Sequence, residues 1–444
     1  MEIIHYCNSF ISIKINKTTI ACDPWVGKTN DNAWLSYPIY RNGLNIINTL
    51  KPDYIYISHL HCDHFDPDLL KKCNKNIIII IKKFKDQRLQ RSIKKLGFKK
   101  ILEYLPWKKI KLNPDMNISI IPQITNNSEN EPNNINYDLD TAIIVQSNLT
   151  KKIFFNNVDN PLNVNDYKYI NTFVKKKFRS KIHVSCMPVG SASEYPQCFL
   201  NINRRKEKVR VIKQCLSQVK KKLKIIKPEV FFPAGGSYII FGKYSSLNNY
   251  IARPNFKAIK ERLKIKNCKI VDIQAKQKII INSKSTNFEK LKFINCTDNK
   301  KNLKKKFSKS KYEYQKILNK YSMSDLDKVF NISVKNYKGI LNKMNIKSSW
   351  TINLYLYKNL RLNKQKKIDY NKSQLLKKYE LTYNSSAKKN YSELCGHLDV
   401  DLFYKMLNRI HPWNPVLSGS MVLFERKPNV FNPDVPFSLN FLGI

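Results

Sequence analysis

Only seven histidines occur in this chain of 444 residues, and three of them crowd into His59-Leu60-His61-Cys62-Asp63-His64. The segment follows an apolar run, Tyr54 to Ile57, and precedes Asp66-Pro67, where an Asp N-cap and a Pro in the first turn announce a helix. It is therefore expected as a loop at the carboxyl end of a strand, which is where open sheets place their sites. If the chain is still extended there, side chains repeat every second residue, so His59, His61 and Asp63 point the same way. Two neutral imidazoles and a carboxylate form a donor set for a divalent metal, and a hydrolytic metal must also keep a position open for water. His64, turned by the start of the helix, can serve a second metal or the far side of the first. The competing explanation is three satisfied or solvated histidines gathered by chance, which fits poorly with so sparse a background of histidine.

The elements that must position this loop read as an α/β arrangement. Ile11 to Ile15 and Thr18 to Cys22 are short strands before Asp23-Pro24-Trp25, and the isoleucines Ile77 to Ile81 suit a strand buried on both faces. Phe65 to Lys72 is a short helix. Further strands are expected at Asn117 to Ile121, Thr141 to Gln146, Lys152 to Asn156, His183 to Pro188 and Pro228 to Pro233, with a polar, Asn-rich loop from Asn126 to Asn136. Lys206 to Leu223 has helical periodicity, with Val209, Ile212, Leu216, Val219 and Leu223 on one face. Strands, helix and strands in this order predict a mixed α/β sandwich over 1–260. Residues 261–311 read as a Lys-rich linker or extension, and 312–444 as a C-terminal α+β region. In that last region Tyr312 to Leu341 is expected as helix, Trp350 to Tyr357 as strand, Asp399 to Ile410 as helix and Ser420 to Arg426 as strand.

Composition sets outer bounds. With 80 Lys+Arg against 33 Asp+Glu the net charge is +47, yet 42% of residues are hydrophobic, so a folded protein of two or three domains is expected, not a disordered chain. The lysines are spread in separate runs, at 175 to 177, 220 to 222 and 300 to 311, instead of forming one stripe interleaved with aromatics. Solvated basic faces therefore explain the charge better than a nucleic-acid groove, although attraction to anions follows either way. The ten cysteines show no repeated short spacing, so reduced thiols are expected. The first residues lack a basic start followed by an apolar stretch, and no window holds the roughly 18 apolar residues of a spanning helix. A cytoplasmic location is the expectation.

His59-x-His61-x-Asp63-His64 after an apolar strand, with Asp23-Pro24-Trp25 upstream, resembles the metallo-β-lactamase superfamily, particularly its branch of sugar-lactone and phospholipid hydrolases. The resemblance implies an αββα sandwich with a one- or two-metal centre at its edge. It implies that His59 and His61 hold one metal, Asp63 and His64 the other, and that Asp159 matches the bridging aspartate. Asp159 is also reasonable by itself, since a carboxylate at the end of the strand Lys152 to Asn156 is unencumbered; an ordinary turn Asp is the alternative. Two departures stand out. A further histidine is expected where this chain has Ile121-Pro122-Gln123-Ile124-Thr125, and another near Phe232-Pro233-Ala234-Gly235, which leaves the second site short of ligands. That pattern, with Gly190-Ser191-Ala192-Ser193-Glu194-Tyr195-Pro196-Gln197-Cys198, is also similar to the metal domain of CMP-N-acetylneuraminate hydroxylases. Those enzymes carry a Rieske cluster on Cys-x-His and Cys-x-x-His pairs; here Cys395-Gly396-His397 offers the first and no Cys-x-x-His occurs, so no Rieske cluster is expected.

The expected function is metal-dependent hydrolysis. A divalent metal, zinc first and iron or manganese as alternatives, would lower the pKa of a bound water to about 7, giving a hydroxide that attacks an ester, lactone, amide or phosphodiester. Asp63 would orient that hydroxide or take its proton, with His61 beside it as the second residue assigned to catalysis. The substrate class is a small molecule, with an anionic sugar derivative in view. A non-haem iron oxygenase is the runner-up, followed by a nucleic-acid processing or binding protein and by a degenerate, non-catalytic relative. His183, in an apolar run, is expected as a core histidine, His5 as a neighbour of the metal loop, and His411-Pro412-Trp413-Asn414 as an aromatic anchor in preference to a pocket wall.

Overall fold

A computed structural model describes residues 1–40, 42–124, 140–291, 296–297, 308–316, 321–344, 346, 348–384 and 391–444. The Asn-rich loop expected at 126–136 and most of the lysine run at 300–311 lie outside them.

Two sheets face each other. One has eight strands in the order Thr286–Lys290, Gln277–Ile281, Glu2–Cys7, Phe10–Ile15, Thr18–Cys22, Tyr54–Tyr56, Ile78–Lys82 and Ile101–Tyr104. The other has seven, in the order Ile110–Asn113, Met116–Pro122, Thr141–Ser147, Ile153–Asn156, Val184–Met187, Val230–Pro233 and Lys269–Ile270. Side-chain alternation then decides the layers. Ile13, Ile20 and Ile80 from the first sheet meet Ile120, Ile143 and Phe154 from the second in the central core. Ile79 and Ile81 point the other way, onto Ile47, Leu70 and Ile93 of the helices Gly43–Leu50, Pro67–Lys72 and Arg88–Lys95. Behind the second sheet, Ile144, Phe155 and Phe231 pack on Ile170, Leu223 and Ile259 of the helices Val164–Phe173, Arg204–Ile226 and Phe256–Arg262. The result is an αββα sandwich, with strands buried on both faces as their unbroken apolar runs require. Of the five residues expected on one face of the long helix, Leu216, Val219 and Leu223 are buried, while Val209 is exposed.

The lysine-dense stretch does more than link. Gln277–Ile281 pairs antiparallel with Glu2–Cys7 and with Thr286–Lys290 outside it, and Lys269–Ile270 pairs parallel with Val230–Pro233, so both sheets take an edge strand from beyond residue 260. Isoleucines at alternate positions, Ile279 and Ile281, bury that face while the lysines stay outside.

The C-terminal region is a four-stranded sheet, ordered Gln374–Tyr383, Ser349–Lys358, Tyr391–Asp399 and Leu423–Lys427, with the helices Met323–Lys343 and Val400–Leu407 packed on it. The helix expected from Tyr312 begins only at Met323, where Ser322 and Asp325 form a capping box; Tyr312 and Tyr314 are core residues before it. Its core is continuous with the sandwich: Trp350 and Trp413 share one apolar cluster with Trp25, Trp34 and Tyr238, and Phe424 N donates to Cys198 O at 2.8 Å.

Candidate metal centre

Strand ends from both sheets meet at one edge of the sandwich. Thr18–Cys22 runs into Asp23, whose φ of +44° sits in the left-handed region that Asp tolerates. Asp23 takes Ser58 N on Oδ1 and Ser58 Oγ on Oδ2, both at 2.7 Å, which pins the start of the histidine loop after Tyr54–Tyr56. The second sheet supplies Asp140, just before Thr141–Ser147, and Asp159, just after Ile153–Asn156 and also left-handed at φ +65°. Thr141 ties the sheets together beneath the loop: its Oγ1 donates to Ser58 O at 2.7 Å and meets the Tyr56 hydroxyl at 2.6 Å.

The loop turns its rings inward. His59 Nε2 is 2.8 Å from His61 Nδ1 and 3.6 Å from Asp140 Oδ1. The other nitrogen of His59 meets Ser58 Oγ at 2.9 Å. His64 is fully buried, with Nδ1 3.0 Å from Asp23 Oδ2 and Nε2 2.9 Å from Asp159 Oδ2. Two groups of three donors result, His59 with His61 and Asp140, and His59 with His64 and Asp159, each with its ligand atoms within 4.8 Å of one another. Asp63 stands outside both groups: its Oδ2 is 3.7 Å from His64 Nε2 and accepts from Asn8 Nδ2 at 3.4 Å.

The electrostatics follow from burial and from this crowding. Burial pushes the Asp140 carboxyl up to about 6 and raises that of Asp63, while it drives His59 well below the ordinary imidazole range. Burial opposes charge on His64 as well, but Asp63, Asp159 and Asp23 outweigh it and hold the imidazolium well above its usual pKa. Burial works against the Asp159 carboxylate too, yet the facing His64 keeps its pKa below normal.

These residues fit a divalent cation. Asp140 Oδ1 is buried without a hydrogen-bond partner, an expensive position for a carboxylate oxygen unless something positive comes to it. It faces two ring nitrogens that already lie within 2.8 Å of each other, and imidazole nitrogen with carboxylate oxygen is the donor chemistry of zinc, iron and manganese.

Two residues escaped the sequence reading, Asp140 and Asn8, and a third, Asn414, stood in it only as part of a less favoured pocket wall. Asp140 precedes a strand and carries no motif; the contacts of Thr141 Oγ1 with Ser58 O and the Tyr56 hydroxyl, made between the two sheets, bring it beside His59. Asn8 bridges Asp63 and Ser237, accepting from Ser237 N at 2.9 Å. Asn414, from the far end of the chain, lies 3.0 Å from His61 Nε2, so His411-Pro412-Trp413-Asn414 is both things at once: Trp413 is buried and the next residue reaches the loop. No imidazole stands at the two positions where the family resemblance expects one. Gln123 Oε1 accepts from Asp140 N at 3.3 Å, and Gly235 lies so near Asp159 that a Cβ there would be 3.2 Å from Oδ1. His183 is a core histidine, taking Ile153 N on Nδ1 at 3.1 Å, and His5 meets Asn8 O at 2.8 Å.

No family model matches the chain. Over 125 residues it is 31% identical to a Mycobacterium tuberculosis protein whose name describes a Rieske 2Fe-2S iron–sulfur protein, a match covering 27% of this chain and 24% of that one. The chain thus spans about a quarter of the length of the curated relatives it matches. Among solved structures it is similar to Igni18, a metallo hydrolase of Ignicoccus hospitalis, at 14% identity and a TM-score of 0.39, covering 66% of this chain and 99% of that one. It is also similar to CmlA, a diiron beta-hydroxylase of Streptomyces venezuelae, at 11% identity and a TM-score of 0.41, covering 65% and 54%.

Proposed function

We propose that the chain is a metal-dependent hydrolase, with His59, His61 and Asp140 holding the metal and His64 with Asp159 offering a second group of donors. The observation that carries this reading is the meeting of His59 Nε2, His61 Nδ1 and the partnerless Asp140 Oδ1 at one point. When bound, a divalent cation there supplies Lewis acidity toward a carbonyl or phosphoryl oxygen and acidifies water. The chain's own groups do the rest. Ser58 fixes the His59 ring from behind, and Asp23 holds His64 through Nδ1, so both rings are oriented before any ligand arrives. Asp63, its carboxyl raised by burial, takes the proton from the attacking water and is kept in place by Asn8. His61, exposed on one side, borders the approach of substrate. The substrate class is an ester, lactone, amide or phosphodiester of a small molecule.

Elemental analysis of the purified chain, paired with hydrolysis assays on chromogenic esters, lactones and phosphodiesters, tests the proposal. Zinc or manganese near one or two per chain is expected, and His61→Ala should lose metal and turnover together while keeping its circular dichroism. Undiminished turnover in that variant would reject it.

A second reading is favoured by the donor set itself. Two histidines and one carboxylate, with one ligand exposed, also suit a single non-haem iron, as in the hydroxylases that the sequence resembles, with electrons from an external partner. One iron per chain and oxygen-dependent turnover would select this reading over hydrolysis.

A further inference from the structure

The contacts around the histidine loop assign protons to its ring nitrogens. Ser58 Oγ donates its single proton to Asp23 Oδ2 at 2.7 Å, so at 2.9 Å from His59 Nδ1 it accepts, and the proton of a neutral His59 ring sits on Nδ1. His59 Nε2 therefore presents a lone pair. His61 Nδ1 lies 2.8 Å from it, and two lone pairs do not face each other at that distance, so in this arrangement His61 carries its proton on Nδ1 and donates. The other nitrogen of His61, Nε2, is then an acceptor, and Asn414 Nδ2 stands 3.0 Å away to donate.

A cation shared by His59, His61 and Asp140 reverses half of this. A metal takes one lone pair from each imidazole, and which ring nitrogen offers it is set by the hydrogen bond that the other nitrogen makes. His59 already offers Nε2, held so by Ser58. His61 must instead release its Nδ1 proton and carry one on Nε2, with no net change in protons. The new N–H needs an acceptor. The Asn414 amide can be either partner, since half a turn about its last side-chain bond exchanges the Nδ2 donor for the Oδ1 acceptor in the same outline. Asn414 is exposed, so close packing does not oppose that turn.

The place of the amide is fixed by more than this one contact. Asn414 lies in the helix Trp413–Ser418, whose Trp413 is buried and donates from Nε1 to Leu442 O at 2.8 Å. Ser418 Oγ donates to Asn414 O at 2.8 Å and accepts from Asn30 Nδ2 at 3.4 Å. Asn30 Oδ1 in turn accepts from the thiol of Cys62, the neighbour of His61 in the loop, at 2.6 Å. Gly419 lets the helix come this close, because a Cβ there would lie 3.1 Å from Asn30 Cβ. His61, Cys62, Asn30, Ser418 and Asn414 thus close a ring of contacts between the loop and the C-terminal region.

We infer that Asn414 is a positioning residue that selects the ligating tautomer of His61: it turns Oδ1 to the ring, accepts the Nε2 proton and leaves Nδ1 free to join His59 Nε2 and Asp140 Oδ1 on one cation. The inference rests on the metal-centre reading and deepens it, because it makes the C-terminal region a working part of that centre.

Nitrogen NMR of the full chain with labelled histidine, loaded with zinc, reads the proton position, and chelator competition on the same samples reads affinity. In wild type, His61 should hold its proton on Nε2 with Nδ1 bound. Asn414→Leu, similar in shape and unable to accept, should weaken zinc about tenfold and let the Nε2 proton exchange faster with solvent. Asn414→Asp, which can only accept, should restore at least the wild-type affinity and the slow exchange. The added charge would raise affinity by itself in that variant, so protection of the Nε2 proton decides there. Zinc on Nε2 of His61 in wild type overturns the inference without any variant having to fold. So does wild-type affinity or wild-type Nε2 protection in Asn414→Leu, or an Asn414→Asp that exchanges as fast as Asn414→Leu. A wild type that binds no zinc defeats the metal-centre reading itself, and this inference with it.

Discussion

At the edge of the sandwich His59, His61 and His64 sit on a loop that has left its strand, whereas His397 lies within the strand Tyr391–Asp399 of the C-terminal sheet, stacked on Tyr355 with centroids 4.9 Å apart. His59, His64 and His397 are buried, and both places bring acidic groups near. In the loop, ring nitrogens turn toward one another and toward carboxylates from a second sheet. In the strand, the ring is locked among its own face: Tyr357 hydroxyl at 3.3 Å from Nδ1, and Glu425 at 3.7 Å from Nε2, too far for a hydrogen bond. Burial alone leaves a histidine without donor neighbours, whereas convergence from separate elements gathers the donor set that a metal would need.

The comparison can be broken in four ways. His59→Ala removes the residue shared by both donor groups, and metal affinity measured by competition with a chelator should fall by about a thousandfold, beyond the 10–100-fold typical of an outer partner. Next comes acid sensitivity in the other region. Burial lowers His397 from 6.5 to about 4, so the stability it contributes is complete above 6.5 and is lost as pH falls toward 4, by up to about 3 kcal/mol at 1.36 kcal/mol per pH unit. Urea unfolding of His397→Phe should therefore vary less between pH 7 and pH 4 than that of wild type, with metal content untouched; an identical pH profile would show that His397 titrates freely. Asp140→Asn keeps the shape and removes the charge, and should cost about 2 kcal/mol, some 30-fold, in metal affinity. The smallest effect is expected at Asn414, whose amide holds His61 by the ring nitrogen turned away from His59; Asn414→Ala should weaken metal about tenfold without changing the thermal midpoint. Unchanged metal binding there would mean that the C-terminal region merely rests on the loop.

Much of the sandwich was legible because its strands are short, β-branched and bounded by turns: Thr18–Cys22, Ile78–Lys82 and Thr141–Ser147 stand within one or two residues of where the pattern puts them. The C-terminal sheet was less so. Gln374–Tyr383 went unread since its lysines and glutamate mask the alternation, and Tyr391–Asp399 because Cys395-Gly396-His397 looks like a ligand motif, not a strand. Gln277–Ile281 lies in the stretch that reads as a Lys-rich linker or extension, because lysine density hides its isoleucine stripe.

What the linear order of residues determined was the local chemistry: three histidines in one turn after an apolar strand, with Asp23 upstream and Asp159 after a strand of its own. What only the tertiary structure decided was the company they keep. Asp140 reaches His59 because Thr141 Oγ1 and Tyr56 fasten the two sheets at that level, and Asn414 reaches His61 across a core shared by tryptophans from both ends of the chain. Proximity of this kind is set by packing between elements far apart in sequence, where the apolar faces must match and no spacing rule applies.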